Sequence, residues 1–231
     1  MAQKILFVLS SADKFLSGAP TGWYLPEAAH PYYVVKDDGY EVDFASPKGG
    51  KAPLDPSSVD GFKDDEGCKK FLGDAAAIKL VDNTKKLSEV KQEDYAAIFY
   101  VGGHGPLFDL TDDPVSHKLI LDFYQAGKPV SLVCHAPTCL IKVVDSNGDK
   151  FVKGKKVTCF NNEEEEIAQK TKDCPFLVET ELKAAGAIFV NERKPWEVEV
   201  VEDGLLLTGA NPASAEALGK ALVKKLAELK A

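Results

Sequence analysis

Apolar and polar positions alternate along this chain in blocks of strand and helix length. Residues 4–10 (Lys-Ile-Leu-Phe-Val-Leu-Ser) form a nearly continuous apolar run, the signature of a central parallel strand buried on both faces. A loop with Gly, Pro and Ser comes next, and Glu27-Ala28-Ala29-His30 opens a helix that Gly39 ends. Residues 40–45 alternate and predict the next strand; 96–101 predict a third, which runs into Gly102-Gly103-His104-Gly105. Asp113-Pro114 is a helix start with Pro at the first helical position, and Val115, Leu119 and Phe123 mark its buried face. Residues 129–133 are a fourth apolar strand, which the pattern runs directly into an apolar helix. Further on, 155–160 read as a short strand and 176–185 as a helix. Residues 196–201 and 205–208 read as paired strands around Asp203-Gly204. Asn211-Pro212 caps a last helix whose face carries Leu218, Leu222, Leu226 and Leu229. This β-α-β order predicts an α/β fold: a mainly parallel, doubly wound sheet with helices on both faces. The polar stretch at about 47–94 is expected to be an insertion with short helices, covering the sheet edge or the site. No linker divides the chain, so one domain over 1–231 is expected.

Composition narrows the partners. The 231 residues carry a net charge of −8 with no Lys/Arg block, so nucleic acid is not expected as a partner. No apolar run is long enough to span a membrane, and Met-Ala-Gln-Lys leads straight into a strand without a signal peptide. The five Cys (68, 134, 139, 159, 174) show no disulfide-scaffold spacing. A reducing compartment is expected: the cytoplasm, with the nucleus also open to the chain. The four His (30, 104, 117, 135) lack helical metal-ligand spacing, so neither a metal nor another cofactor is expected.

The chemistry concentrates at Val133-Cys134-His135-Ala136-Pro137. A Cys at a sharp strand-to-helix turn projects its sulfur at the carboxyl end of the sheet, where a helix dipole favours the thiolate. His135 places an imidazole nearby, which makes Cys134 a candidate nucleophile. The competing reading is a buried free thiol beside a strand-end His; the strand–turn–helix setting favours the nucleophile. The His135 amide and an amide of the Gly102-Gly103 turn are candidate oxyanion donors. A carboxylate should orient the imidazole, and Glu163, Glu164, Glu165 and Glu166 all qualify on position; solvated acids in a first helical turn are the alternative. Glu27, beside Trp23, Tyr24 and Leu25, is a candidate for a buried carboxyl of raised pKa near the sulfur, or else an exposed helix-start acid.

Four segments occur in order: Gly-Trp-Tyr-Leu-Pro-Glu-Ala-Ala-His-Pro, Gly-Gly-His-Gly-Pro-Leu-Phe-Asp-Leu, Val-Cys-His-Ala-Pro and Thr-Gly-Ala-Asn-Pro-Ala-Ser-Ala. Together they resemble the ThiJ/PfpI superfamily, in its heat-shock chaperone and glyoxalase III branch, over nearly the whole chain. The resemblance implies a flavodoxin-like sandwich, class I glutamine-amidotransferase-like, with Cys134 as nucleophile and His135 as its partner. It implies Glu165 as the acid, matched five residues beyond Phe160, Glu27 as the residue bonding the sulfur, and the Gly103 and His135 amides as oxyanion donors. It also implies a homodimer and cofactor-free conversion of a small 2-oxoaldehyde, methylglyoxal, to D-lactate. Ala136 and Cys159 stand where the branch usually has Gly. Three other readings use the same residues or surface: a holdase binding unfolded client proteins, a Cys peptidase or amidase, and a redox sensor at Cys134.

Overall fold

The structure, a computed structural model, describes residues 3–230. Seven strands make the main sheet: β1 (Lys4–Val8), β2 (Glu41–Ser46), β3 (Lys85–Lys86), β4 (Ala97–Tyr100), β5 (Val130–Val133), β8 (Val200–Asp203) and β9 (Leu206–Gly209), in the order β3-β2-β1-β4-β5-β9-β8. All neighbours are parallel except the terminal β8–β9 hairpin. A second, two-stranded parallel sheet joins β6 (Lys156–Val157) to β7 (Ile188–Phe189).

The uninterrupted apolar character of the central strands reflects burial on both faces. On one face Ile5, Phe7, Phe99 and Leu207 pack beneath α1 (Leu25–Asp37) and α8 (Ala215–Glu228). On the other, Leu6, Val8, Ile98 and Leu132 pack against α5 (Pro114–Gln125), whose Asp113 cap accepts from the Val115 and Ser116 amides. Each fully buried Leu or Phe contributes about 1.5–3 kcal/mol, so this alternation dominates the stability of the sheet.

The 47–94 stretch folds into α2 (Pro56–Gly61), α3 (Glu66–Gly73), α4 (Ala75–Asp82) and the edge strand β3. Its polar sequence conceals a core contribution: Cys68, Phe71, Val81 and Leu87 are buried. Asp55 caps α2 and also accepts from Thr21, and its N–H donates to the Trp23 carbonyl, which ties this segment to the entry of α1.

Several elements depart from expectation. The apolar helix expected after Cys134 is a single 3-10 turn, Ala136–Leu140. Pro137 lies inside it, and the segment is buried whole, so packing rather than helical periodicity shapes it. The strand expected at 155–160 is only β6. That expected at 196–201 begins at Val200, because Trp196 takes a left-handed backbone (φ 69°). Leu229 lies beyond α8 and is exposed. Two further helices, α6 (Asn162–Ile167) and α7 (Val178–Ala184), complete the described chain. Among the described residues no helix is long and apolar enough to cross a membrane.

Candidate active site

The order of strands places a topological switch between β1 and β4, where the chain turns from building one half of the sheet to building the other. Ligands in open α/β sheets bind at the carboxyl ends beside such a point. Gly102-Gly103 follows β4 there and Cys134 follows neighbouring β5.

Cys134 has φ 61°, a left-handed conformation that is strained by roughly 1–3 kcal/mol in a non-glycine residue. Its neighbours hold it in place. Its N–H donates to the Gly209 carbonyl (2.9 Å) and its own carbonyl accepts from the Phe160 N–H (2.9 Å). The sharp turn is therefore clamped between the sheet and the segment that leads into α6. Close packing also demands glycine opposite: a Cβ on Gly102 would run into the Val133 carbonyl oxygen and lie 2.5 Å from Glu27 Oε2.

The Phe160 clamp sets where α6 begins. Asn161 caps that helix in a reciprocal capping box with Glu164, and its register sends Glu164 and Glu165 inward and leaves Glu163 and Glu166 exposed. The alternative of four solvated acids thus fails for two of them. Glu165 Oε2 bonds His135 Nε2 at 2.7 Å, and His135 Nδ1 lies 3.2 Å from Cys134 Sγ. A Cys–His–Glu relay results, with the His135 ring only 1% exposed. Against the upward push of burial, the two imidazoles around Glu165 hold its carboxylate well below the usual range.

Glu27 is fully buried, and its two oxygens have no conventional hydrogen bond; the groups nearest them are the Cys134 thiol and the Gly102 and Gly103 amides. Burial lifts its pKa to about 8, so the carboxyl keeps its proton at neutral pH. Burial also pushes the Cys134 thiol above its ordinary value. The helix expected to favour a thiolate is only a short 3-10 turn, and burial opposes ionisation of the sulfur. The Gly103 amide faces the sulfur, and neither it nor the His135 amide is used in backbone pairing among the described residues.

One group escaped the sequence reading. His104 Nε2 bonds the other oxygen of Glu165, Oε1, at 2.8 Å, and its ring lies 4.0 Å from that of His135. The one available signal was its place in a Gly-Gly-His-Gly segment at the end of a central strand. Burial, then the neighbouring His135, hold its pKa below the ordinary imidazole value.

These groups line a cavity of about 230 Å³, walled by Tyr24, Phe160 and Trp196, with Ser57 and Lys170 at its polar edge. Trp196, 44% exposed, packs on Phe160 with ring centroids 5.3 Å apart. Among the described residues two clusters have ligand atoms close enough for a metal ion: His104–Glu165–Cys174 in this site, and His30–Asp65–Cys68 between α1 and α3. In each the carboxylate already serves an imidazole.

A profile of the DJ-1/PfpI family matches residues 22–225. Candida albicans Glyoxalase 3 is 32% identical over 220 residues, spanning 92% of this chain and 93% of the relative. The Saccharomyces cerevisiae glutathione-independent glyoxalase HSP31 is 33% identical over 222 residues, with the same coverage of each. Among solved structures, Francisella tularensis Rapid Encystment Protein 24 kDa superposes with a TM-score of 0.92 at 35% identity, covering 97% of this chain and 99% of that one. Glyoxalase III from Candida albicans superposes with a TM-score of 0.87 at 29% identity, covering 96% and 97%.

Proposed function

The chain belongs to the DJ-1/PfpI family, and from that premise we propose that it is a glutathione-independent glyoxalase that converts methylglyoxal to D-lactate. The observation that carries the proposal is the Cys134–His135–Glu165 relay at the floor of a cavity of about 230 Å³, in a chain whose glyoxalase relatives match it nearly end to end. A cavity of that size fits a three-carbon aldehyde and is smaller than the roughly 300–1,000 Å³ of sites for larger ligands. That disfavours a peptidase using the same residues.

The protonation states dictate the order of steps. Cys134 begins as a thiol, so its attack on the aldehyde carbon is coupled to proton transfer to His135 Nδ1, 3.2 Å away. The Glu165 carboxylate steadies the imidazolium through Nε2. The hemithioacetal oxygen develops negative charge within reach of the Gly103 and His135 amides. Reprotonation of that oxygen returns His135 to its neutral form. The imidazole then moves the proton of the first carbon to the second through an enediolate, leaving a lactoyl thioester on Cys134. Glu27, a neutral acid in the resting site, positions the sulfur and relays a proton. Water releases D-lactate. No cofactor takes part, and the working unit is a homodimer by family likeness.

The test is D-lactate formation from methylglyoxal by purified protein without glutathione, with Cys134→Ala alongside. Wild-type turnover and its loss in the variant, with an unchanged melting curve, are expected. Equal turnover by the variant overturns the nucleophile assignment, and an inactive wild type overturns the activity itself. A holdase role has thinner support, because the exposed large apolar side chains, such as Leu16, Leu72, Val144 and Ile188, come from separate segments.

A further inference from the structure

The last step of the proposed reaction needs a water molecule, and the His135 ring offers it no place. One edge of that ring is against the Cys134 sulfur and the other against Glu165. The ring is also crowded by His104, at 4.0 Å between centroids, and by Phe160, at 4.6 Å. Glu27 cannot accept a proton either, since it holds its own at neutral pH. The Lys170 amine is engaged by Asp173.

His104 is differently placed. It lines the cavity and its side chain keeps 12% exposure, against 1% for His135. Its Nε2 faces an ionised carboxylate at 2.8 Å and therefore carries the ring proton. That leaves Nδ1 with a free lone pair. Nδ1 has no hydrogen-bond partner among the described residues and is not sealed from solvent. The ring is neutral at neutral pH, as a base must be.

We propose that His104 is a second catalytic base, which activates the water that hydrolyses the Cys134 thioester, and that Glu165 serves both histidines, one through each oxygen. The assignment rests on the glyoxalase reading above. In the step, the water oxygen bonds the thioester carbonyl carbon as one of its protons passes to His104 Nδ1. The oxyanion collapses and the carbon–sulfur bond breaks. The sulfur leaves and takes the proton back from His104 Nδ1, giving the Cys134 thiol and lactic acid, which ionises into solvent. Water supplies every atom that the product gains, and no electron donor or acceptor is needed. One carboxylate thereby divides the two proton transfers between two rings: His135 for formation of the thioester and His104 for its breakdown.

The experiment uses His104→Gln, whose amide can still donate to Glu165 but cannot take up a proton. Methylglyoxal is mixed with wild type and variant, the reaction is quenched in acid, and intact mass is read with and without hydroxylamine. A thioester survives the quench and is cleaved by hydroxylamine, whereas a hemithioacetal reverses on denaturation. The expected result is steady turnover slowed on the order of 100-fold or more, with one lactoyl group accumulating on Cys134 of the variant and none on wild type. His104→Ala, tested with added imidazole, should show the same adduct and its release on rescue. Undiminished turnover without an adduct overturns the assignment. So does lost turnover without an adduct in both variants, which would move His104 to an earlier step. In either case D-lactate formation by wild type leaves the glyoxalase reading standing; its absence would remove both.

Discussion

Glu27 shows how one buried side chain couples the site to the stability of the molecule. Its carboxyl is ordinary, near 4.5, in the unfolded chain and rises to about 8 when folded. Below the lower value both states are protonated. Between the two, the unfolded state ionises while the folded state keeps its proton, so the folded state binds more protons and stability falls as pH rises. Above the upper value the loss is complete. Glu27→Gln removes this dependence. Urea unfolding of both proteins should show the variant gaining on wild type by on the order of 1–4 kcal/mol from about pH 5 to about pH 8. A constant difference across that range would mean that Glu27 is ionised in the folded protein. Glu165 has the opposite sign: its lowered pKa contributes stability that is lost as pH falls, so the Gln comparison at position 27 isolates the alkaline loss.

At the scale of elements, the start of α6 is held by a neighbour of the relay rather than by the relay itself. Glu164 is sealed and accepts from both terminal nitrogens of Arg193 (2.7 Å each), from the Trp196 N–H (2.9 Å) and from Asn211 (2.9 Å). Against the upward push of burial, these bonds keep its carboxylate below the ordinary range. They tie α6 to the loop carrying Trp196 at the cavity mouth and to the segment before α8. Arg193→Ala leaves a buried carboxylate unpaired. It should cost about 3–5 kcal/mol in chemical unfolding, and it should weaken turnover because Glu165 sits on the same turn. Full activity in a destabilised Arg193→Ala protein would show that the position of Glu165 is independent of this pairing. The run of four Glu could not disclose it: the inward pair is chosen by the Asn161 cap, which is itself set by the Phe160–Cys134 backbone bond.

Across the whole molecule the five Cys are all free and all buried, yet only Cys134 borders the cavity. Cys68, Cys139 and Cys159 are packed in the two cores and Cys174 lies near Glu165. Iodoacetamide on the native protein should therefore label Cys134 ahead of Cys68, Cys139 and Cys159, which should be modified only as urea unfolds the chain; peptide mapping over time reads this directly. Earlier labelling of any of those three would contradict the packing. Mild peroxide should show the same order among these four.

Much of the frame was legible in the chain. The apolar runs at 4–10, 96–101 and 129–133 read as strands buried on both faces, and the cap at Asp113 marked a helix start, because each is a local rule of periodicity or of unpaired amides; Asn211 caps only the 3-10 turn Pro212–Ser214 that leads into α8. Cys134 and His135 were legible for the same reason: they are adjacent, and the sharp turn is written in five residues. The sequence resemblance also pointed to Glu27 and Glu165. Local rules could not decide the company these residues keep. That the expected helix after the elbow is a buried 3-10 turn, that burial opposes ionisation of Cys134, that Glu165 has a second imidazole in His104, and that Arg193 anchors its neighbour are properties of tertiary contacts, some of them between residues 29 to 61 positions apart. Periodicity fixes which face of an element is buried; only the joining of faces sets the distances and the dryness that decide where a proton resides.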